Sequence, residues 1–132
     1  VARRREGVFV MGAIGKKLRS MAGDQRRGYL HWCPGCDEPH GIFTENKNGP
    51  TWTFNGDFEK PTFGPSIRCF TTETTDDDDK PLPAPIQRTI CHYFVKAGKI
   101  EFCGDSPHKL AGQTVDLPDW PYAPGAYGGI DE

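Results

Sequence analysis

The feature that most restricts this chain is Cys33-Pro34-Gly35-Cys36, read together with Ile90-Cys91-His92-Tyr93-Phe94-Val95 and Gly98-Lys99-Ile100-Glu101-Phe102-Cys103 far downstream. Two cysteines separated by Pro-Gly form a tight knuckle that aims both sulfurs at one point, and a tetrahedral zinc ion then needs two ligands from elsewhere. The downstream stretch reads as a β-hairpin able to supply them. Its loop decides which residues it offers. A two-residue loop, Ala97-Gly98, puts Ala97 at positive φ, which is costly for a residue with a Cβ. A three-residue loop, Lys96-Ala97-Gly98, puts only glycine there. In that expected register Ile90, Phe94, Ile100 and Phe102 share the buried face. Cys91 then sits beside Cys103, with Cβ atoms roughly 5 Å apart. The expectation is a four-cysteine zinc site of Cys33, Cys36, Cys91 and Cys103. In the other register His92 joins Cys103 as a substitute ligand and Cys91 drops out, giving a site of three cysteines and one histidine.

Composition agrees with a small metal-stapled domain. The chain has 132 residues, 36% hydrophobic, enough for one domain but lean in core material. Sixteen glycines and twelve prolines predict many turns, short antiparallel strands and little helix. Five cysteines behind a start unlike a signal peptide point to a reducing cytoplasm and metal binding rather than a disulfide framework. No apolar run approaches the ~20 residues of a membrane helix, so a soluble protein with no membrane partner is expected. Charge is uneven. Residues 1–30 hold eight Lys or Arg against two acidic residues, so the remainder carries a net −8 for the whole-chain −2. Such a basic arm on an acidic body suits partner binding.

Taken in order, residues 1–27 read as a basic arm. Met11 is an alternative to Val1 as the start, and Ile14, Leu18 and Met21 fall at the spacing of a short amphipathic helix. The arm either neutralises phosphates of a nucleic acid or is a solvated extension; no aromatics interleave its charges, which favours the latter. Residues 28–120 read as the zinc-binding β domain, with strands on either side of the knuckle in the manner of a zinc ribbon. His40, four residues after Cys36, is a spare ligand that four cysteines leave unneeded. Trp52 and Phe54 point inward from a strand ended by Asn55-Gly56. Pro61-Thr62-Phe63-Gly64-Pro65-Ser66 then holds Ser66 on a stiff bend, as a nucleophilic hydroxyl or, more in keeping with local sequence, a turn cap. Cys69 reads as a small core residue. Residues 71–85, with Asp76 to Asp79, read as a mobile acidic loop. Asp105 and His108 lie on a short loop after the last cysteine, where groups that support a metal or take part in catalysis would stand; a helical turn over 109–113 follows. Residues 121–132 read as a tail laid across the body with Trp120 and Tyr122.

The ordered set of His31-Trp32-Cys33-Pro34-Gly35-Cys36, Phe54-Asn55-Gly56-Asp57, the Pro61–Ser66 segment, Cys91-His92-Tyr93-Phe94-Val95 and Leu110-Ala111-Gly112-Gln113 resembles a family of small bacteriophage and prophage proteins of unassigned function. Members often carry the label ammonia monooxygenase, which a chain with no membrane span and no copper-type histidine cluster does not fit. Distant relatives occur in bacterial ubiquitin-like conjugation operons and are regarded as peptidases that remove the modifier. That resemblance implies Ser66 as nucleophile and His92 as its base. It also marks a departure: many phage members have a cysteine where this chain has Ser106, and none where it has Cys103.

Two functional expectations result. The first is a non-catalytic zinc module that binds a virion or host protein, in the cytoplasm of a bacterial host or a phage particle. The second is a zinc-stabilised serine-type peptidase acting on a ubiquitin-like protein through Ser66 and His92, with Asp105, Asp57 or His108 orienting the base. A catalytic zinc with an open position ranks behind both, because all-thiolate sites are usually closed.

Overall fold

The structure, a computed structural model, describes residues 10–123. Among the described residues are nine strands in two antiparallel sheets. The first, in the order β1-β2-β3-β4, holds β1 (Val10–Ile14), β2 (Leu18–Ala22), β3 (Arg26–Cys33) and β4 (Glu38–Asn46). The second, β5-β6-β7-β8-β9, holds β5 (Thr53–Phe54), β6 (Phe63–Thr75), β7 (Pro81–Lys96), β8 (Lys99–Phe102) and β9 (Thr114–Asp116). The mostly β expectation holds. Among the described residues no helix occurs, so none is long and apolar enough to cross a membrane.

The expected N-terminal helix is replaced by the β1–β2 hairpin, in which Ile14 pairs with Leu18. Gly15 takes φ +65 in the turn, and glycines at 12 and 15 weaken a helix while permitting this reversal. Leu18 and Met21 are buried all the same. The Arg3–Arg5 cluster lies outside the described residues. The acidic stretch 71–85 stays on the surface, as its composition requires, yet it forms the far part of the β6–β7 hairpin. Arg88 Nε meets Glu73 Oε1 across the pair at 2.6 Å, and Asp76 Oδ1 closes the tip by accepting from the N–H groups of Asp78 and Lys80, both at 2.9 Å. Register breaks between Glu73 and Thr75, opposite the prolines that cannot donate to a ladder. At residues 108–113 the expected helical turn is a pair of tight turns closed by Ala111 N–H to His108 C=O and Gln113 N–H to Leu110 C=O.

The β7–β8 loop is the two-residue one. Tyr93 pairs with Phe102 and Val95 with Ile100, with Ala97 at φ 48 and Gly98 at φ 78. The left-handed backbone costs alanine roughly 1–2 kcal/mol. Surrounding bonds offset it: Ala97 N–H donates to Thr62 Oγ1 at 2.8 Å and Gly98 N–H to Pro61 C=O at 2.9 Å, while Gly98 C=O accepts from Leu117 N–H. A one-residue change of loop turns β7 over relative to β8. Cys91, Tyr93 and Val95 therefore face the core with Ile100 and Phe102, and Phe94 turns outward beneath the Lys96 ammonium, in place of the expected Phe94-inward face.

The core lies between the sheets, where Leu18, Cys33 and Ile42 of the first meet Phe63, Ile67, Cys91, Tyr93, Val95, Ile100 and Phe102 of the second. Trp120 is buried: its backbone N–H donates to Lys16 C=O at 2.7 Å, and its ring meets Trp32 edge-on.

Candidate functional site

Successive residues of a strand point to opposite faces, and on β7 this separates two clusters. Cys91 points into the core. His92 points out.

On the inner face, Cys91 Sγ stands 3.9 Å from Cys33 Sγ, and the sulfur of Cys36 lies within 4.8 Å of both. The knuckle forms as its Pro-Gly sequence predicts: Asp37 N–H closes the turn on Cys33 C=O, and Cys36 N–H points at Cys33 Sγ from 3.4 Å. Two imidazoles complete the group. His108 Nε2 is 3.4 Å from Cys91 Sγ, and a ligating nitrogen of His40 lies within 4.8 Å of the sulfurs of Cys33 and Cys36. Gly35 is needed here, because a Cβ on it would meet the His108 ring at 2.3 Å. The contact between the two sulfurs brings Cys33 down to about 7 and pushes Cys91 up. Burial, then the Cys33 charge, raises Cys36 to about 12. Burial lowers both His108 and His40, with Glu38 opposing in the case of His40. Both ring nitrogens of His40 are buried without a hydrogen-bond partner. A tetrahedral zinc ion bound at about 2.3 Å to sulfur and 2.0 Å to nitrogen sets its ligand atoms roughly 3.5–3.8 Å apart. The Cys33–Cys91 and Cys91–His108 separations of 3.9 and 3.4 Å match that spacing, and with Cys36 within 4.8 Å the cluster suits a metal such as zinc.

Cys103, the expected fourth sulfur, belongs elsewhere. The two-residue loop sets it opposite His92, whose C=O accepts from Cys103 N–H at 2.9 Å, and its Sγ groups with His92 and Asp105. His92 likewise stands apart from the inner sulfurs as a substitute ligand, grouping on the outer face with Cys103 and Asp105. Cys69 packs against the core beside Cys91 on β6, its thiol pushed up to about 11 by burial.

On the outer face, His92 Nε2 lies 3.3 Å from Ser66 Oγ, and His92 Nδ1 lies 3.1 Å from each Asp105 oxygen. Ser66 sits where β6 breaks register, between Phe63, paired with Val95, and Ile67, paired with Tyr93. Such a bulge re-aims a side chain. Trp52 Nε1–H donates to Ser66 C=O at 3.0 Å and fixes the bend. Of the three groups considered for orienting the base, only Asp105 reaches it. Asp57 caps its own loop, accepting from Glu59 and Lys60 N–H groups that hold its carboxyl below the usual range, and His108 is on the inner face. Sequence reasoning gives Ser106 no role. Its hydroxyl accepts from His92 N–H at 3.1 Å and donates to His92 C=O at 2.8 Å, tying the Asp105 loop to the histidine's own backbone. Nothing in its sequence neighbourhood signals that role. The sequence likewise marks Trp52 only as an inward aromatic.

An open groove of about 530 Å³ is lined by Tyr29, Trp52, Thr53, Phe54, Gly64 and Pro65, without a charged side chain, and reaches the chain neighbour of Ser66. A neutral imidazole takes the proton of a serine hydroxyl when its other nitrogen is held by a carboxylate. The outer cluster has the parts and order for that chemistry.

Comparisons with curated proteins and with solved structures return no match. The model of one family matches residues 11–103, a span that contains Ser66, His92 and the three inner cysteines and stops short of Asp105 and His108. With most of its length inside that match, the chain belongs to the family described as bacterial ubiquitination-like system serine protease (BubE).

Proposed function

We propose that this protein is a serine-type peptidase acting on a protein of a bacterial ubiquitin-like conjugation system. The observation that carries the reading is the chain of contacts Ser66 Oγ, His92 Nε2, His92 Nδ1 and Asp105 carboxylate, at 3.3 and 3.1 Å. In the proposed reaction Ser66 Oγ attacks a carbonyl carbon of the substrate while its proton passes to His92 Nε2. His92 returns that proton to the departing amine, and water then releases the acyl group by the same path. Asp105 keeps the Nδ1–H tautomer and stabilises the imidazolium. The 3.3 Å contact is the looser geometry usual for a substrate-free site. The uncharged groove lined by Pro65 would receive a neutral side chain of the substrate.

The inner cluster holds zinc through Cys33, Cys36, Cys91 and an imidazole, for which the 3.4 Å spacing favours His108. Ligation through Nε2 would leave the ring proton on Nδ1, which Leu110 N–H faces from 3.2 Å. The ion is structural, tying the knuckle to β7. A purely protein-binding module gives no reason for three side chains from β6, β7 and a loop to meet in this order.

The test is reaction with a fluorophosphonate, which esterifies an activated serine and needs no knowledge of the substrate. The expected result is a single adduct mapped to Ser66, lost in Ser66→Ala and His92→Ala proteins that remain folded. Cleavage of a fusion joined to the C-terminus of the operon's ubiquitin-like protein, lost in the same variants, tests the substrate class. No adduct at Ser66 in folded wild-type protein refutes the reading.

A further inference from the structure

The outer cluster contains one group that hydrolysis does not use. Cys103 Sγ, a ligating nitrogen of His92 and an Asp105 oxygen lie within 4.8 Å of one another, and Cys103 N–H bonds to His92 C=O at 2.9 Å, so the two strands hold thiol and imidazole side by side. His92 Nδ1 and the Asp105 oxygens, at 3.1 Å, are as close to the spacing of two ligands on one ion as to that of a hydrogen bond. All three residues are partly or fully exposed.

We propose that Cys103, His92 and Asp105 form a second, exchangeable site for a thiophilic divalent cation such as Zn2+, and that the ion occupying it switches the serine off. The cation site stands on the cluster alone; its inhibitory effect rests on the serine reading above. On binding, the Cys103 thiol gives its proton to solvent and the thiolate, the Asp105 carboxylate and His92 Nδ1 take the ion. A neutral imidazole that ligates through Nδ1 carries its one ring proton on Nε2. Nε2–H then faces Ser66 Oγ as a donor and has no lone pair to accept the hydroxyl proton. The base is lost without any change of fold. One thiolate and solvent at the remaining position make this site weaker than the three-sulfur one, in which Cys33 and Cys91 are buried, so it fills second.

The experiment uses the protein with its first metal already bound. Titration with Co2+ is followed by absorption, where thiolate-to-cobalt charge transfer reports sulfur ligation, and fluorophosphonate labelling is measured with added Zn2+. The expected result is a second equivalent with the intensity of one thiolate, and labelling slowed about 100-fold at saturation, the low end of a general base's contribution. Cys103→Ala should lose that second equivalent, and its labelling rate relative to its own zinc-free value should not fall. A wild type that takes no second equivalent but labels normally overturns the cation site alone. A second equivalent bound by protein that never labels upholds the site and overturns the serine reading together with the inhibitory role. A second equivalent retained in Cys103→Ala, or labelling accelerated by Zn2+, overturns the proposal.

Discussion

Replacing Asp105 by Asn tests the orientation of the base most directly. The substitution keeps size and removes charge. In the wild type the carboxylate can only accept, so His92 Nδ1 carries the proton and Nε2 is free to take one from Ser66. An asparagine that turns its amide nitrogen to Nδ1 reverses this and leaves Nε2–H pointing at the serine. The electrostatic part follows from geometry. A carboxylate about 4 Å from the imidazolium charge centre is worth about 1 kcal/mol in water and about 4 kcal/mol at the effective dielectric of a protein surface. The Asp105 side chain is 59% exposed, which places the value near 2 kcal/mol, about 30-fold in rate. The wrong tautomer adds to that in the amide variant. The expected rate of fluorophosphonate labelling is thus down about 30-fold in Asp105→Ala, where water can replace the acceptor, and about 100-fold or more in Asp105→Asn. Thermal midpoints should move little, since the contact is at the surface. If Asp105→Asn labels within about threefold of the wild type while still folded, Asp105 does not orient the base, and a hydrolytic reading of this cluster must find another group.

Metal content separates the sulfurs: Cys91→Ser should drop below one metal per chain by elemental analysis and unfold at a much lower temperature, whereas Cys103→Ser should keep the first equivalent. Ala97→Asn gives the β7–β8 loop the Asn-Gly sequence that its φ values of 48 and 78 call for, and should raise unfolding free energy by about 1 kcal/mol in denaturant titration. His31, fully buried beside the Tyr93 hydroxyl at 2.6 Å, is held down to about 3, mainly by burial. It stays neutral in the fold while the unfolded chain takes up a proton below about 6.5, so stability is lost as pH falls from 6.5 towards 3. The slope is about 1.4 kcal/mol per pH unit, to a total of roughly 5 kcal/mol. His31→Asn should show a shallower acid limb; an unchanged slope refutes the assignment.

What could be read in advance followed the range of the signal. The knuckle is four consecutive residues whose chemistry is local, so Cys33 and Cys36 converge as their spacing requires. Cys91 joins them from β7 of the other sheet, a convergence that only a shared metal makes legible. Cys103 departs from its expected place through one loop residue: Ala97 disfavours positive φ, but Thr62 and Pro61, distant in sequence, hold the loop there, and no local propensity contains those bonds. The same turn preference leaves the pairing of Cys103 with His92 as the second choice of register, and the structure adopts it with Cys91 still beside the knuckle. Ile14, Leu18 and Met21 carry a helical period that tertiary pairing overrode, with glycines at 12 and 15 tipping the choice to the hairpin. The stiff bend marks Ser66 as a nucleophile or a turn cap without deciding between them, and only the family resemblance pairs it with His92, since a serine after a proline and a histidine on a strand are ordinary by themselves. Ser106 acts by bonding a backbone that it meets only in the folded chain, so no residue pattern could have exposed it.

Because Cys91 and His92 are consecutive on one strand, whatever fixes the sulfur also fixes the imidazole's backbone, and the two metal sites must act on the serine with opposite sign. Filling the inner site locks β7 to the knuckle and should raise the labelling rate of metal-stripped, refolded protein until one equivalent is bound. Filling the outer site should then lower it, by taking Nδ1 from Asp105. The expected response to Zn2+ is a rise followed by a fall, with the turning point at one equivalent per chain, and Cys103→Ala should rise to a plateau. The separation of the limbs rests on three thiolates, two of them buried, binding more tightly than one half-buried thiolate with a carboxylate. A wild-type curve that climbs monotonically to a plateau would mean that the outer cluster takes no ion, while one that falls from the first addition would mean that the inner ion does not hold the histidine in place.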